Sequence, residues 1–575
     1  MPAESSSSIS IKPKKGRGRP APSPRSILDR QALLQALDER DIVVKQEHIT
    51  GFYQSLHRHH YPPLTNFVEQ YYHNEKLAAG NNVSKKENAT ITEQPQLPLK
   101  NAITTRKNRN RINLPKLFLQ FLADPANGFV TVTSQVAKVM TSGDGSTTKL
   151  AVQLHDGQLV ESVLMRYGAR QENKILKSGR ASLCVSSQVG CAMACNFCAT
   201  GMMGLTGSLH YSEILEQVIH AERILAKEAL ERRTLQQENN NNNNNEQSKK
   251  QSKKDKTNTD LDVVRNIVFM GMGEPLDNYS NVVEACRALI DRKRWNLAHG
   301  RVTVSTVGIA SKIRKLTQDL PEVSLALSLH APNQRLRSVI VPTAKHYPIQ
   351  DIIDALDGHM KAAIQPRQSD ANTHHRPPNG SSSSRRRAMI EYVMLEGETS
   401  SFECAHELGK LCQDRNLVVN LIPYNQTDVK DKLRCPSREH IREFQRIVTS
   451  YGTFCTTRRT MGADIDSACG QLVVLENNNN KEKAVVLDIE DGIGPIASTK
   501  TSSVSNNNNS KSVAVVKKSS SRETPASINP PASNDNNGAT ATDLEKWILP
   551  LQIATAISAS CFLLSTALYL KQRRQ

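Results

Sequence analysis

Aromatic residues are scarce in this chain, only 4% of its 575 residues. That scarcity argues against a nucleic-acid binder built as a platform of stacking rings. A secretory signal peptide is also missing from the N-terminus, and with eleven cysteines this points to a reducing compartment rather than a disulfide scaffold. Acidic charge is in deficit: 56 Asp and Glu face 74 Lys and Arg, leaving a net charge of +18. The excess favours an acidic partner such as nucleic acid, although basic tails alone would also produce it. Finally, no fourth Cys or His lies near the one tight group of cysteines, Cys191, Cys195 and Cys198.

That group is what the chain does have. It reads C-x3-C-x2-C. Tetrahedral zinc takes four ligands, whereas three thiolates suit a [4Fe-4S] cluster with one iron left open for a substrate. The odd number and crowding of the cysteines speak against a disulfide. An open-iron cluster is sensitive to oxygen, which fits the reducing compartment.

The length exceeds one ordinary domain. Residues 1–25 are rich in Ser, Pro and basic side chains, so disorder is expected there. Within them Lys14-Lys-Gly-Arg-Gly-Arg-Pro20 resembles an AT-hook; a nuclear-localisation patch or a solvated basic tail fits it as well. Residues 26–147 read as a small helical domain. Leu33, Leu34 and Leu37 repeat at helical spacing, a second helix is expected near 49–57, and a basic run from Arg106 to Arg111 precedes the amphipathic stretch 114–122. Residues 148–166 alternate around Asp156-Gly157, a hairpin signal.

Strand-like and helix-like stretches then take turns. Strands are expected at 182–186, 266–270, 302–305, 323–328, 389–393 and 418–422, with helices at 212–235, 281–292, 309–317, 349–364, 402–415 and 439–450. This alternation implies an α/β fold of parallel strands with crossover helices, an open partial (β/α)6 barrel over 148–476. Ligands of such sheets bind at strand C-termini. Low-complexity insertions at 236–258 and 365–387 fall on the opposite face, between a helix and the next strand. A polar linker follows, 477–546. The last feature is 547–570, an uncharged run of 24 residues between Trp547 and basic Lys571, Arg573 and Arg574. It is long enough to cross a bilayer as a tail anchor, which would leave a cytoplasmic enzyme tethered to an organelle membrane.

The three-cysteine spacing is the signature of the radical S-adenosylmethionine (SAM) superfamily. The segment from Ser186 to Gly201 closely resembles the adenine-C2 RNA methyltransferases of the RlmN/Cfr type. The resemblance runs from about Lys149 to Leu472 and extends weakly back to Ile27. It implies the partial barrel, a helical RNA-binding accessory domain, an electron donor for the cluster, two SAM molecules per turnover, and an adenine of large-subunit rRNA, or of tRNA as well, as substrate. Methylation of carbon 8 is the close alternative, and a non-catalytic iron-sulfur tether a distant one.

What the family implies about single residues follows from matching segments. Gly271-Met-Gly273-Glu274-Pro matches a SAM-binding element, with Gly273 and Glu274 in contact. Ser305, then Ser328-Leu329-His330, then Asn420 match further cofactor positions at strand ends. Cys469, in Asp464-Ile-Asp-Ser-Ala-Cys-Gly-Gln, matches the methyl-carrying cysteine, and Cys184 the resolving thiol. Carbon 2 of adenine is electron-poor and cannot attack the methyl of SAM. The family instead loads a methyl on one cysteine, adds it to the ring by radical chemistry, and frees the product with the second thiol. Glu161, in Leu-Val-Glu-Ser-Val, matches the proposed proton acceptor; by burial statistics alone it could equally be a strand-surface carboxylate. Many members carry Arg where this chain has Met461, and Arg458 and Arg459 are candidate substitutes for RNA contact.

Overall fold

A computed structural model describes residues 19–78, 113–168, 179–242, 263–362, 388–427, 433–468 and 470–472. Cys469, the basic run 106–111, most of both insertions, the linker and the tail run 547–570 lie outside the described residues.

The fold is α/β, built on one ten-stranded sheet in the order β14-β13-β12-β11-β10-β9-β6-β5-β4-β3. Its parallel part comprises β6 (Arg180–Cys184), β9 (Val264–Phe269), β10 (Val302–Thr306), β11 (Ser324–Ser328), β12 (Ala388–Met394), β13 (Leu417–Pro423) and β14 (Phe454–Thr457). The first six are the six strands expected from the alternation. The seventh, β14, was not expected, so the barrel has one more parallel strand than the sequence pattern indicated. These strands are apolar because crossover helices cover them; all five residues of β10 are buried.

The other edge is antiparallel. Strands β3 (Gln135–Thr141), β4 (Thr147–Gln153) and β5 (Leu159–Tyr167) join β6, with Asp156-Gly157 turning between β4 and β5 as expected. Gly157 takes φ +81°, open to glycine without strain. Strand β3 belongs to the main sheet although the sequence reading assigned 26–147 to a helical domain.

The N-terminal helices are α1 (Arg30–Asp38), α2 (Gln46–Arg58), α3 (Leu64–Ala78) and α4 (Lys116–Ala123). They share one apolar core with the barrel. Tyr61 stacks on Trp295 with centroids 5.5 Å apart, and the Arg294 guanidinium lies 4.8 Å over Tyr53. Strand β1 (Arg25–Ser26) pairs with β2 (Phe129–Val130).

Residues 19–25 are described, although disorder was expected through residue 25. Arg19, the last arginine of the AT-hook-like segment, is buried in ion pairs with Asp156 and Glu213, both at 2.8 Å. Its side chain therefore does not project as a groove-binding arginine would. The expectation of disorder through residue 25 is corrected for residues 19–25, because two carboxylates hold the guanidinium.

Crossover helices follow the expected positions: α6 (Tyr211–Asn242), α7 (Tyr279–Ile290), α8 (Ala310–Asp319), α10 (Ile349–Ala362), α11 (Phe402–Cys412) and α12 (Arg438–Ser450). Two short helices, α5 (Ala199–Met202) and α9 (Gln334–Ile340), were not expected. Helix α6 runs on through Asn242, into the first insertion. Among the described residues no helix is long and apolar enough to cross a membrane.

Candidate active site

The C-terminal ends of the parallel strands surround one open cavity. Cys184 reaches it from the end of β6, Gly273 and Glu274 from the turn after β9, Ser305 from β10, and Ser328 and His330 from β11. Cys191, Cys195 and Cys198 line the same space. Their loop follows a small hairpin rather than β6 directly: β7 (Gln188–Gly190) and β8 (Leu205–Ser208) pair antiparallel, and the Cys191 N–H donates to the Gly204 carbonyl at 2.8 Å.

Glycine is required after β9. A Cβ on Gly273 would come within 2.5 Å of the Gln188 Cβ, and φ there is +99°. The turn places the Glu274 carboxylate, buried, where it accepts the backbone N–H groups of Leu276 at 3.0 Å and Val307 at 2.9 Å. Burial nonetheless lifts its pKa to about 7, against those hydrogen bonds.

The Ser305 and Ser328 hydroxyls are 3.3 Å apart. His330 sits at φ +62°, accepts the Val393 N–H on Nδ1 at 3.1 Å and meets Phe197 edge-on at 4.8 Å. Burial drives its pKa down to about 3, so the ring is neutral. Three expected residues do not line the cavity. Leu329 is fully buried, with its N–H on the Glu391 carbonyl. Asn420 donates to Glu391 Oε2 at 2.9 Å. Glu161 lies on β5 at the same strand parity as the cavity-lining Val163 and Met165, and its Oε1 is 3.2 Å from Lys149 Nζ.

Cys469 lies outside the described residues, but its flanking residues Ala468 and Gly470 line the cavity. The segment around it is tied down at several points. Lys149 Nζ donates to the Asp466 carbonyl at 3.2 Å, and the Gly143 N–H to Asp464 Oδ2 at 2.9 Å. The Ala199 N–H donates to the Gly470 carbonyl at 2.9 Å, and the Thr200 hydroxyl to the Leu472 carbonyl at 2.6 Å.

Two charged lining or adjoining residues escaped the sequence reading. Glu391 is buried on β12, its pKa raised by burial against Arg458 and Asn420. Arg337 on α9 is 0% exposed; one terminal nitrogen donates to the Val307 carbonyl, while Nε and Nη1 have no partner. A charged residue amid the apolar run of β12 was a signal that could have drawn attention to Glu391.

Among the described residues no group of three or more His, Cys, Asp or Glu is gathered around a single metal position. The donor set nevertheless fits an iron-sulfur cluster, whose thiolates ligate separate irons. Three thiols face one space; burial pushes Cys191 up to about 12 and Cys195 well above the ordinary range, and a bound cationic metal would favour their thiolate forms. A buried, incompletely paired guanidinium beside them suits an anionic group.

A parallel α/β sheet with a three-cysteine loop and a glycine-turn carboxylate at its strand ends is a radical SAM architecture. The ribosomal RNA large subunit methyltransferase N of Nitrosopumilus maritimus is 36% identical over 345 residues, which are 60% of this chain and 82% of that protein. The dual-specificity RNA methyltransferase RlmN 1 of Myxococcus xanthus is 34% identical over 332 residues, covering 58% and 74%. A solved radical SAM methyltransferase from Sphaerobacter thermophilus is 34% identical, covering 62% of this chain and 86% of that one, with a TM-score of 0.48. No family model matches the chain. On the two sequence similarities, the chain belongs to the RlmN family of radical SAM methyltransferases.

Proposed function

We propose that the chain methylates carbon 2 of an adenine in large-subunit rRNA, and in tRNA, through a methyl carried on Cys469. The observation that carries the reading is the meeting in one cavity of the three-cysteine loop, Cys184 and the residues on either side of Cys469. Relatives named for large-subunit rRNA and for dual-specificity RNA methylation support the substrate.

Cys191, Cys195 and Cys198 would hold a [4Fe-4S] cluster, and Gly273, Glu274, Ser305, Ser328 and His330 would hold SAM, with Leu329 and Asn420 acting from outside the cavity through their bonds to the lining Glu391. Together, when bound and fed by an electron donor, the cluster and SAM supply the one-electron chemistry that a polar reaction at carbon 2 cannot. Glu274 offers a carboxylate to the SAM ammonium. Neutral His330 adds no competing positive charge. Cys469 carries the methyl, and its sulfur remains joined to the base through that carbon once the new bond forms. Glu161 would take the proton from carbon 2 of the resulting radical adduct, and the adduct's odd electron would leave to the same one-electron system that the cluster and SAM supply. The Cys184 thiolate then attacks the Cys469 sulfur: the S–S bond forms, the S–C bond breaks, and its electron pair goes to the methylene carbon, which takes a proton to become the methyl.

The helical region before Ala123 is proposed to assist RNA binding. Residues 547–570 are proposed as a tail anchor, on the strength of their uncharged sequence; release of the full chain from membranes by alkaline carbonate would refute this. The function is tested by mass spectrometry of nucleosides from cells lacking the protein. Loss of 2-methyladenosine from rRNA and tRNA is expected. Loss of 8-methyladenosine alone would overturn the choice of carbon.

A further inference from the structure

The strongest unexplained feature near the site is Arg337. Its side chain is 0% exposed, and two of its three guanidinium nitrogens, Nε and Nη1, have no partner. The third donates to the Val307 carbonyl. Among the described residues no carboxylate pairs with it. Val339 and Ile340, two and three residues along the same helix, accept from Asn196, the chain neighbour of Cys195. A buried cation without a counter-charge is strongly destabilising, so an anionic group is wanted on the side of the cysteine loop.

The placement is built, not incidental. Asn333 caps α9 by accepting the Leu336 N–H at 3.0 Å. The far end of α9 docks on the cysteine loop: the Asn196 N–H donates to the Ile340 carbonyl at 3.0 Å, and Asn196 Nδ2 to the Val339 carbonyl at 2.8 Å. The helix bearing the guanidinium and the loop bearing Cys195 are therefore fixed to one another. Val307, the other partner of Arg337, donates its N–H to Glu274, which ties the same guanidinium to the carboxylate side of the cavity.

We infer that Arg337 is the internal counter-cation of the cluster, positioned beside Cys195 to stabilise its reduced state. This rests on the reading that Cys191, Cys195 and Cys198 hold that cluster. Three thiolates give the oxidised [4Fe-4S] centre a net negative charge, and one electron from an external one-electron donor makes it more negative by one unit. A fixed positive charge in a water-poor setting favours the more negative state and raises the reduction potential.

The test uses the full chain, reconstituted anaerobically with iron and sulfide, as wild type, Arg337→Met, Arg337→Gln and Arg337→Lys. Midpoint potentials are read by EPR-monitored titration, first without SAM and then with it. Loss of the charge in the Met and Gln variants should make reduction at least about tenfold less favourable, about 59 mV more negative for a one-electron couple. The Lys variant should stay near wild type. Thermal melts of the metal-free chains should show Arg337→Met no less stable than wild type, because it removes a lone buried charge. An unchanged potential in both neutral variants would overturn the inference. So would a shift seen only with SAM, which would assign the guanidinium to the SAM carboxylate. Loss of stability in every metal-free variant, Lys included, would reduce Arg337 to a structural prop and overturn it too. A wild type that binds no iron and sulfide would instead sink the cluster reading itself.

Discussion

Lys149 is shared between two parts of the site: its ammonium lies 3.2 Å from Glu161 Oε1 and 3.2 Å from the Asp466 carbonyl. All but a small part of both side chains is buried. One cation thus sets the position of the proposed proton acceptor and of the segment three residues before Cys469. Removing it with Lys149→Met takes the cation from a buried carboxylate, at a cost of about 3–5 kcal/mol in stability. Adding Glu161→Gln should recover most of that loss, and a double-mutant cycle read by denaturant melts measures the coupling. Simple additivity would show the pair to be independent.

A second expectation concerns pH. The Glu274 carboxyl is raised from 4.5 to about 7 in the folded chain. Between those values the folded state keeps a proton that the unfolded state has lost. Stability of the unliganded chain therefore falls as pH rises through this window and levels off above about 7. The swing is on the order of 3 kcal/mol. Glu274→Gln should flatten the profile. Binding of SAM should follow the opposite slope, weakening as pH falls below about 7 and Glu274 loses its charge. Denaturant melts and SAM binding over the same pH series check both signs.

The thiols should divide by role. Ala at Cys191, Cys195 or Cys198 should abolish iron binding. Cys469→Ala should keep iron but form no S-methyl protein, visible by intact mass. Cys184→Ala should trap a covalent protein–RNA adduct, because the bond to the base can form yet cannot be resolved. Normal turnover of Cys184→Ala would refute the resolving role.

Arg19 offers a test at the other end of the chain. Arg19→Ala takes the guanidinium from Glu213, whose side chain is 1% exposed and keeps as polar partners His155 Nδ1 at 2.9 Å and the His210 N–H at 2.8 Å. A loss on the order of 3 kcal/mol is expected. Removal of residues 1–20 should lower the melting temperature as Arg19→Ala does.

Much of this was readable because it was repetitive. The six alternating strands showed themselves as apolar runs between helical stretches, and the cysteine spacing marked the loop. Strand β14 escaped because Phe454–Thr457 is only four residues long and has no apolar run; it is a strand because β13 offers it a free edge. Strand β3 escaped because Gln135–Thr141 is half exposed along its length and lacks a clear inward face. Arg337 drew no notice because no helix was expected at 334–340, and nothing local shows that the cysteine loop, 143 positions earlier at Asn196, docks on the end of that helix. The partnership of Lys149 with Asp466 spans 317 positions and has no local trace.

The bonds from Gly143 and Lys149 to Asp464 and Asp466, and from Ala199 and Thr200 to Gly470 and Leu472, also set an order in time. All four acceptors lie between Asp464 and Leu472, C-terminal to every described strand, so a polypeptide emerging from the ribosome has its strands and its cysteine loop before it has these residues. Until they arrive the three thiols stand at an unsealed mouth, accessible to incoming iron and sulfide. A nascent chain stalled after Arg458 should therefore be labelled faster at Cys191 and Cys198 by a thiol reagent than one stalled well beyond Leu472.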